Sequence, residues 1–203
     1  MAGELNVLPS NTRLEAFSDG VFAIAITLLV LDLKVPELKT ATPGELWTAL
    51  AAQWPAYLGF LTSFLTILII WINHHGLFRQ LRGHNRALLF ANGLLLLVVT
   101  VLPFPTALAS RFILTSGAGA SALVYCAVQL AMALAFNGIW RTAYRGDLLD
   151  PAARTHNAQI RRSYRVGPLI YLAATVLALP FPLLAVGICA ALAVVFAVLS
   201  YDG

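Results

Sequence analysis

The stretch that most constrains this chain runs from Arg13 to Pro36, RLEAFSDGVFAIAITLLVLDLKVP. Arg13, Glu15, Ser18 and Asp19 lead into an uncharged run, Gly20 to Leu31, which then meets Asp32 and Lys34. The 12 residues between the two aspartates make only about 18 Å of helix. A hydrocarbon core about 30 Å thick asks for about 20 apolar residues. A helix built on this run therefore crosses only if its charged ends are shielded from lipid. Carboxylates at membrane depth face a bundle interior or a water-filled path. The first helix is the expected functional centre of a membrane protein.

The rest of the chain agrees with that class. Of its 203 residues, 60% are hydrophobic and 11% charged, and the mean hydropathy is +0.82. Soluble domains carry about 25% charged residues. The expected fold is all-α, a single polytopic transmembrane domain over 1–203 with little room for a soluble part. The pI near 9.4 reflects 13 Lys and Arg against 9 Asp and Glu. Membrane topology explains that excess better than a nucleic-acid partner. The N-terminus, MAGELNVLPSNT, lacks the basic region and short apolar core of a cleavable signal. Cys126 and Cys189 sit inside apolar runs and read as small core residues, with no disulfide framework.

Six spans are expected, at about 13–34, 54–78, 87–109, 120–140, 160–180 and 183–201. The last two come from residues 166–200, whose 35 positions carry no charge. That is too long for one span and enough for two. The break falls at Pro180-Phe181-Pro182, since two prolines so close do not both fit a helix interior. The similar Pro103-Phe104-Pro105 reads as a second span end.

Lys and Arg set the orientation. With the N-terminus inside, the inner side receives ten: Arg13, Arg79, Arg82, Arg86, Arg141, Arg145, Arg154, Arg161, Arg162 and Arg165. The outer side receives three: Lys34, Lys39 and Arg111. That asymmetry places both termini in the cytoplasm. Residues 43–53, with Pro43 at a helix start and Trp47 and Trp54 at interfacial positions, read as a short helix lying on the outer surface.

At 100° per residue, Phe17, Gly20 or Val21, Ile24, Leu28 and Leu31 form one stripe along the first helix, with Thr27 beside it. In a lone chain such a stripe packs against the chain's own helices. Around the axis of an oligomer it becomes stacked rings of Ile24, Leu28 and Leu31, which close an ion path by dewetting. Thr27 then offers the polar oxygen near the constriction, and Asp32 at the outer mouth concentrates cations. Arg13, Ser18, Asp19, Trp71, Asn73, His74, His75, Phe78 and Asn92 share one inner depth and are expected to meet in a hydrogen-bonded knot, because buried polar groups in lipid need partners. Two adjacent histidines point about 100° apart on a helix and do not chelate easily, so no metal site is expected. Proton coupling through Asp19, His74 and His75, in a secondary transporter or a proton leak, is the alternative. Asn137 and Gln129 read as links between helices.

The chain lacks a TVGYG-type carbonyl filter, an Arg-rich voltage sensor, HExxH, a Walker loop and GxSxG. It reads as a non-enzyme without cofactor.

Arg13-x-x-x-Phe17-Ser18-Asp19 at the head of the first span resembles the transmembrane protein 175 family, potassium-permeable channels of endosomes, lysosomes and prokaryotic cell membranes. The match extends through Gly20 to Leu33 and to Trp71-x-x-His74-His75-x-x-Phe78. One six-helix unit is similar to the prokaryotic branch, which implies a homotetramer in the cell membrane with no other protein partner. The resemblance implies a pore lined by the first helix and permeated by K⁺. Ile24, Leu28 and Leu31 would match its constriction and Thr27 its hydroxyl. Arg13, Phe17, Ser18 and Asp19 would form the signature, with His75 or His74 and Asn92 as partners.

Overall fold

The computed structural model describes residues 10–38, 42–151 and 158–199, the last stretch without the side chains of 158–165 and 199. Lys39 and Arg154, counted above for orientation, lie outside the described residues. The described residues form helices and no strand. Helix α1 (Thr12–Leu28) ends in a 3₁₀ turn, Leu29–Asp32. The others are α2 (Pro43–Ala52), α3 (Trp54–Phe78), α4 (Arg86–Val101), α5 (Pro103–Phe112), α6 (Ala118–Arg145), α7 (Ala158–Leu177) and α8 (Pro182–Leu199).

Four helical stretches are long and apolar enough to cross a membrane: Thr12–Asp32, Trp54–Phe78, Arg86–Phe112 and Ala118–Arg145. Val166–Leu177 and Pro182–Val198 are shorter apolar helices. Large apolar side chains such as Phe90, Leu97, Leu134, Leu169, Val176 and Val198 stand exposed. This surface suits lipid and would be untenable in water. The chain is a multi-pass membrane protein.

The two Pro-Phe-Pro sequences behave differently. Pro180 lies in the turn that separates α7 from α8, and Pro182 opens α8. Pro103 and Pro105 instead sit in the first turn of α5, which continues the α4 direction as one Arg86–Phe112 segment. In a first turn the backbone N–H groups have no helical partner to lose, so proline is tolerated there. The chain passes through Leu102 in helical conformation (φ −55°, ψ −36°) and does not stop. Helix α1 is also shorter than expected. Its regular part ends at Leu28, the chain is extended at Leu33, and the Lys34 ammonium closes the end by donating to the Leu31 carbonyl at 2.9 Å.

Helix α6 is the hub, packed against α4, α5, α7 and α8. Small residues allow that closeness: Ala122 in α6, Ala174 and Ala178 on α7 and its C-terminal turn, and Ala185 and Ala193 in α8 are all buried. A buried polar chain ties α3, α5 and α6. Thr106 donates to the Leu102 carbonyl, so the Ser63 hydroxyl donates to Thr106 (2.7 Å) and accepts from Tyr125 (3.2 Å). The Gln129 amide donates to Tyr125 at 3.0 Å and reaches Thr66 at 3.5 Å. Gln129 is thus a link between helices. Asn137 turns back onto the Ala133 carbonyl of its own helix (2.9 Å).

At the end of the bundle where α1 begins, loops 79–85 and 146–150 are zipped together. Arg82 N donates to Leu148 O and Asp150 N to Gln80 O, each at 2.9 Å. The Arg82 guanidinium donates to Asp147 O at 2.7 Å, across a left-handed Asp147 (φ 55°). Asn11, just before α1, donates to Leu81 O (3.2 Å) and bonds His84 (3.1 Å), which fastens the start of α1 to this plate.

Candidate functional site

Helix α1 has two apolar faces. Ser18, Phe22, Ala25 and Leu29, spaced four, three and four apart, are buried against α3 and α4. The other face carries Phe17, Ile24, Leu28 and Leu31, which are 64%, 59%, 42% and 64% exposed. Thr27 is exposed beside them. The stripe picked out by its spacing therefore does not pack on its own chain. Its hydroxyl is set as well: Thr27 Oγ1 donates to the Ile24 carbonyl at 2.9 Å, leaving lone pairs to face outward.

The polar residues near the start of α1 divide into two groups. One is buried and directional. Ser18 Oγ donates to Leu14 O (2.8 Å), so it accepts from Asn92 Nδ2 (2.9 Å). Asn92 Oδ1 is then left to accept from His74 Nε2 at 2.8 Å. The network thus assigns the His74 tautomer protonated at Nε2. The His74 ring is clamped by Phe78, stacked at 3.9 Å, and by Phe22, edge-on at 5.3 Å. Three helices, α1, α3 and α4, are joined by one chain of hydrogen bonds in an apolar shell, where an unmet partner is costly.

The second group is exposed. Asp19 Oδ1 accepts from the Trp71 indole at 2.8 Å, and His75 stacks on Trp71 at 5.9 Å. Of the two histidines, it is His74 that joins Asn92. The remaining signature residues, Arg13 and Phe17, are exposed and join neither group among the described residues. Asn73 bonds back to the Ile69 carbonyl (2.9 Å). Among the described residues, no cluster of three His, Cys, Asp or Glu is arranged to hold a metal ion.

Asp32 ends the 3₁₀ turn against α3 and α5. It lines a cavity of about 650 Å³ together with Lys34, Gln53, Ser110, Arg111 and apolar residues of α3 and α5. Its Oδ2 atom is buried without a hydrogen-bond partner among the described residues. Sequence reasoning placed Asp32 and Lys34 together but had no means of bringing Arg111 beside them.

The fold and this site define a class: a polytopic helical membrane protein whose first helix is locked to its neighbours on one side and presents a bare aliphatic face on the other. The family model described as endosomal/lysosomal potassium channel TMEM175 matches residues 13–103, which hold the exposed α1 face and both polar groups but not Ser110 or Arg111 of the Asp32 cavity. A potassium channel of Chamaesiphon minutus is 46% identical over 190 residues, covering 93% of this chain and 94% of that protein. The bovine endosomal/lysosomal proton channel TMEM175 is 34% identical over 154 residues, 71% of this chain and 32% of that one. The crystal structure of a lysosomal potassium-selective channel TMEM175 homolog from Chamaesiphon minutus superposes with a TM-score of 0.84 at 44% identity, covering 94% of this chain and 97% of that one. The chain belongs to the TMEM175 family. These relatives are named as ion channels and not as enzymes.

Proposed function

We propose that this protein is a potassium-permeable cation channel: a homotetramer of six-span subunits in the cell membrane, both termini cytoplasmic, with α1 lining a central pore. The observation that carries this reading is the bare face of α1. Ile24, Leu28 and Leu31 are exposed on a helix whose opposite face is fixed by the Ser18–Asn92–His74 chain. A helix held so firmly and left apolar on its free side suits an axis shared with other copies. The potassium-channel name of the Chamaesiphon minutus relative supports the same reading.

The mechanism follows from the side chains. Rings of branched aliphatics close a narrow pore by excluding water, with no moving plug. They supply no oxygen to replace a hydration shell, so selectivity rests on the cost of stripping water. Potassium sheds water more cheaply than sodium, and the preference is modest. Thr27 presents an acceptor oxygen because its proton is committed to Ile24 O. The Ser18–Asn92–His74 and Asp19–Trp71–His75 groups orient α1 and do not contact the ion. No cofactor takes part.

Purified protein in liposomes, given a potassium or a sodium gradient, is expected to show non-saturating, potassium-favouring flux. Ile24→Asn is expected to raise conductance severalfold and to erode the preference. Wild-type conductance and ion preference in that variant would remove Ile24 from the constriction. The proton-channel name of the bovine relative favours a second reading, proton flux through the Asp19, His74 and His75 region. It predicts acidification of the same vesicles that His75→Ala abolishes and Ile24→Asn spares.

A further inference from the structure

Cys126 and Cys189, separated by 63 residues in the chain, lie with their sulfurs 3.7 Å apart. Both are free thiols and both are fully buried. Neither belongs to α1 or to the polar groups described above. They face each other across the α6–α8 contact, where the helices come close over Ala122 and Ala185. The approach is fixed from one end as well. Gly119 sits two turns before Cys126 on the same face of α6, and a Cβ there would stand 3.1 Å from the Leu179 carbonyl oxygen, in the turn that leads to α8. Depths along the two helices also agree. Cys126 is eight residues into α6 and Cys189 seven residues into α8, about 12 and 10 Å from the two starts.

We propose that this pair is a modification site, a dithiol that an organic hydroperoxide dissolved in the bilayer converts to an intramolecular disulfide joining α6 to α8. Full burial keeps water-borne oxidants away from the sulfurs. A lipid-soluble peroxide partitions to their depth and reaches them on a local parting of α6 and α8, since neither sulfur is exposed on the bundle surface. One sulfur attacks the peroxide O–O bond, which breaks. An S–O bond forms, giving a sulfenic acid, and an alcohol leaves with one proton. The second sulfur then displaces the hydroxyl as water and the S–S bond forms. In sum, two thiols and one hydroperoxide give one disulfide, one alcohol and one water. The sulfurs lose two electrons and the peroxide oxygens gain them. A disulfide needs the sulfurs about 2.05 Å apart, so the step must close a gap that now stands at 3.7 Å. The neighbouring thiol is positioned to intercept the sulfenic acid before further oxidation, which a lone cysteine would not do.

The test uses the whole protein in lipid nanodiscs treated with cumene hydroperoxide. The sample is then denatured and its thiols counted with a heavy maleimide, with and without dithiothreitol. Met132, buried in α6 six residues beyond Cys126, reports by its sulfoxide that oxidant has entered the bundle interior. Wild type is expected to lose both labels together, to stay monomeric on a non-reducing gel, and to regain both labels on reduction. Cys126→Ala and Cys189→Ala are expected to form no reducible intramolecular species. The proposal is overturned if both thiols still label at a dose that oxidises Met132. It is equally overturned if the labels are lost beyond recovery by reductant, or if the disulfide links separate chains.

Discussion

His74 has one ring hydrogen to give inside the bundle, and Asn92 takes it at 2.8 Å. That single bond decides how the surrounding residues respond to change. In Asn92→Leu, Ser18 still donates to its acceptor, the Leu14 carbonyl, and the cost falls on the His74 N–H, buried against Phe22 and Phe78. Leaving such a donor unmet costs about 1–3 kcal/mol, whereas removing both partners together can be nearly neutral. Asn92→Leu is therefore expected to lower the thermal midpoint in detergent, and adding His74→Phe to restore most of it. A double variant no more stable than Asn92→Leu would show that this bond is not the source of the loss. The sequence left open which histidine takes part, because neighbours 100° apart are equally good donors until the position of α4 is known. It also left open which face of α1 meets the chain. Phe22, Ala25 and Leu29 are as apolar as Ile24, Leu28 and Leu31, so periodicity sees both stripes and ranks neither. The residues of the site were legible; their grouping was not, because it depends on which helix lies where.

Helices obey their sequence most plainly at their ends. The Pro180–Pro182 break between α7 and α8 was legible, because neither proline has a first-turn position in a continuous helix. The third span, expected at about 87–109, already ran past Pro103; what the sequence did not show is the new first turn that forms there. The same context dependence governs the glycines. Gly119 meets the Leu179 backbone, with 3.1 Å to the carbonyl oxygen from a Cβ built there, while a Cβ at Gly138 meets nothing within 4 Å. Both lie in α6, so helix propensity favours alanine equally at either, by about 0.5–1 kcal/mol. At Gly119 the opposing backbone cannot swing aside as a side chain would, and overpacking costs about 1–3 kcal/mol. Gly119→Ala is expected to lower the melting midpoint of the purified protein, and Gly138→Ala to leave it unchanged or raise it slightly. Equal shifts in the two variants would mean that the α6 start is not held against the α7–α8 turn.

Across the molecule, charge is sorted to the two ends, and the end that holds Asp32 is the more finely balanced. The reading of Asp32 as a lone cation attractor rests on sequence neighbours, but Arg111 of the α5 end shares its cavity along with Lys34. Two cationic side chains thus line the cavity with one carboxylate, so the pull of Asp32 on cations is partly offset there. With the channel reading, Asp32→Asn should lower potassium conductance by less than about twofold at low salt, and Arg111→Gln should raise it. Both effects should fade with ionic strength, because the screening length falls from about 30 Å at 0.01 M to about 3 Å at 1 M. Single-channel recording of the two variants across that range separates a field effect from direct ion binding. A carboxylate acting through its field gives conductances that converge on wild type at high salt. A carboxylate that coordinates the permeant ion gives a deficit that persists at 1 M, and that result would move Asp32 from the rim of the pathway into it.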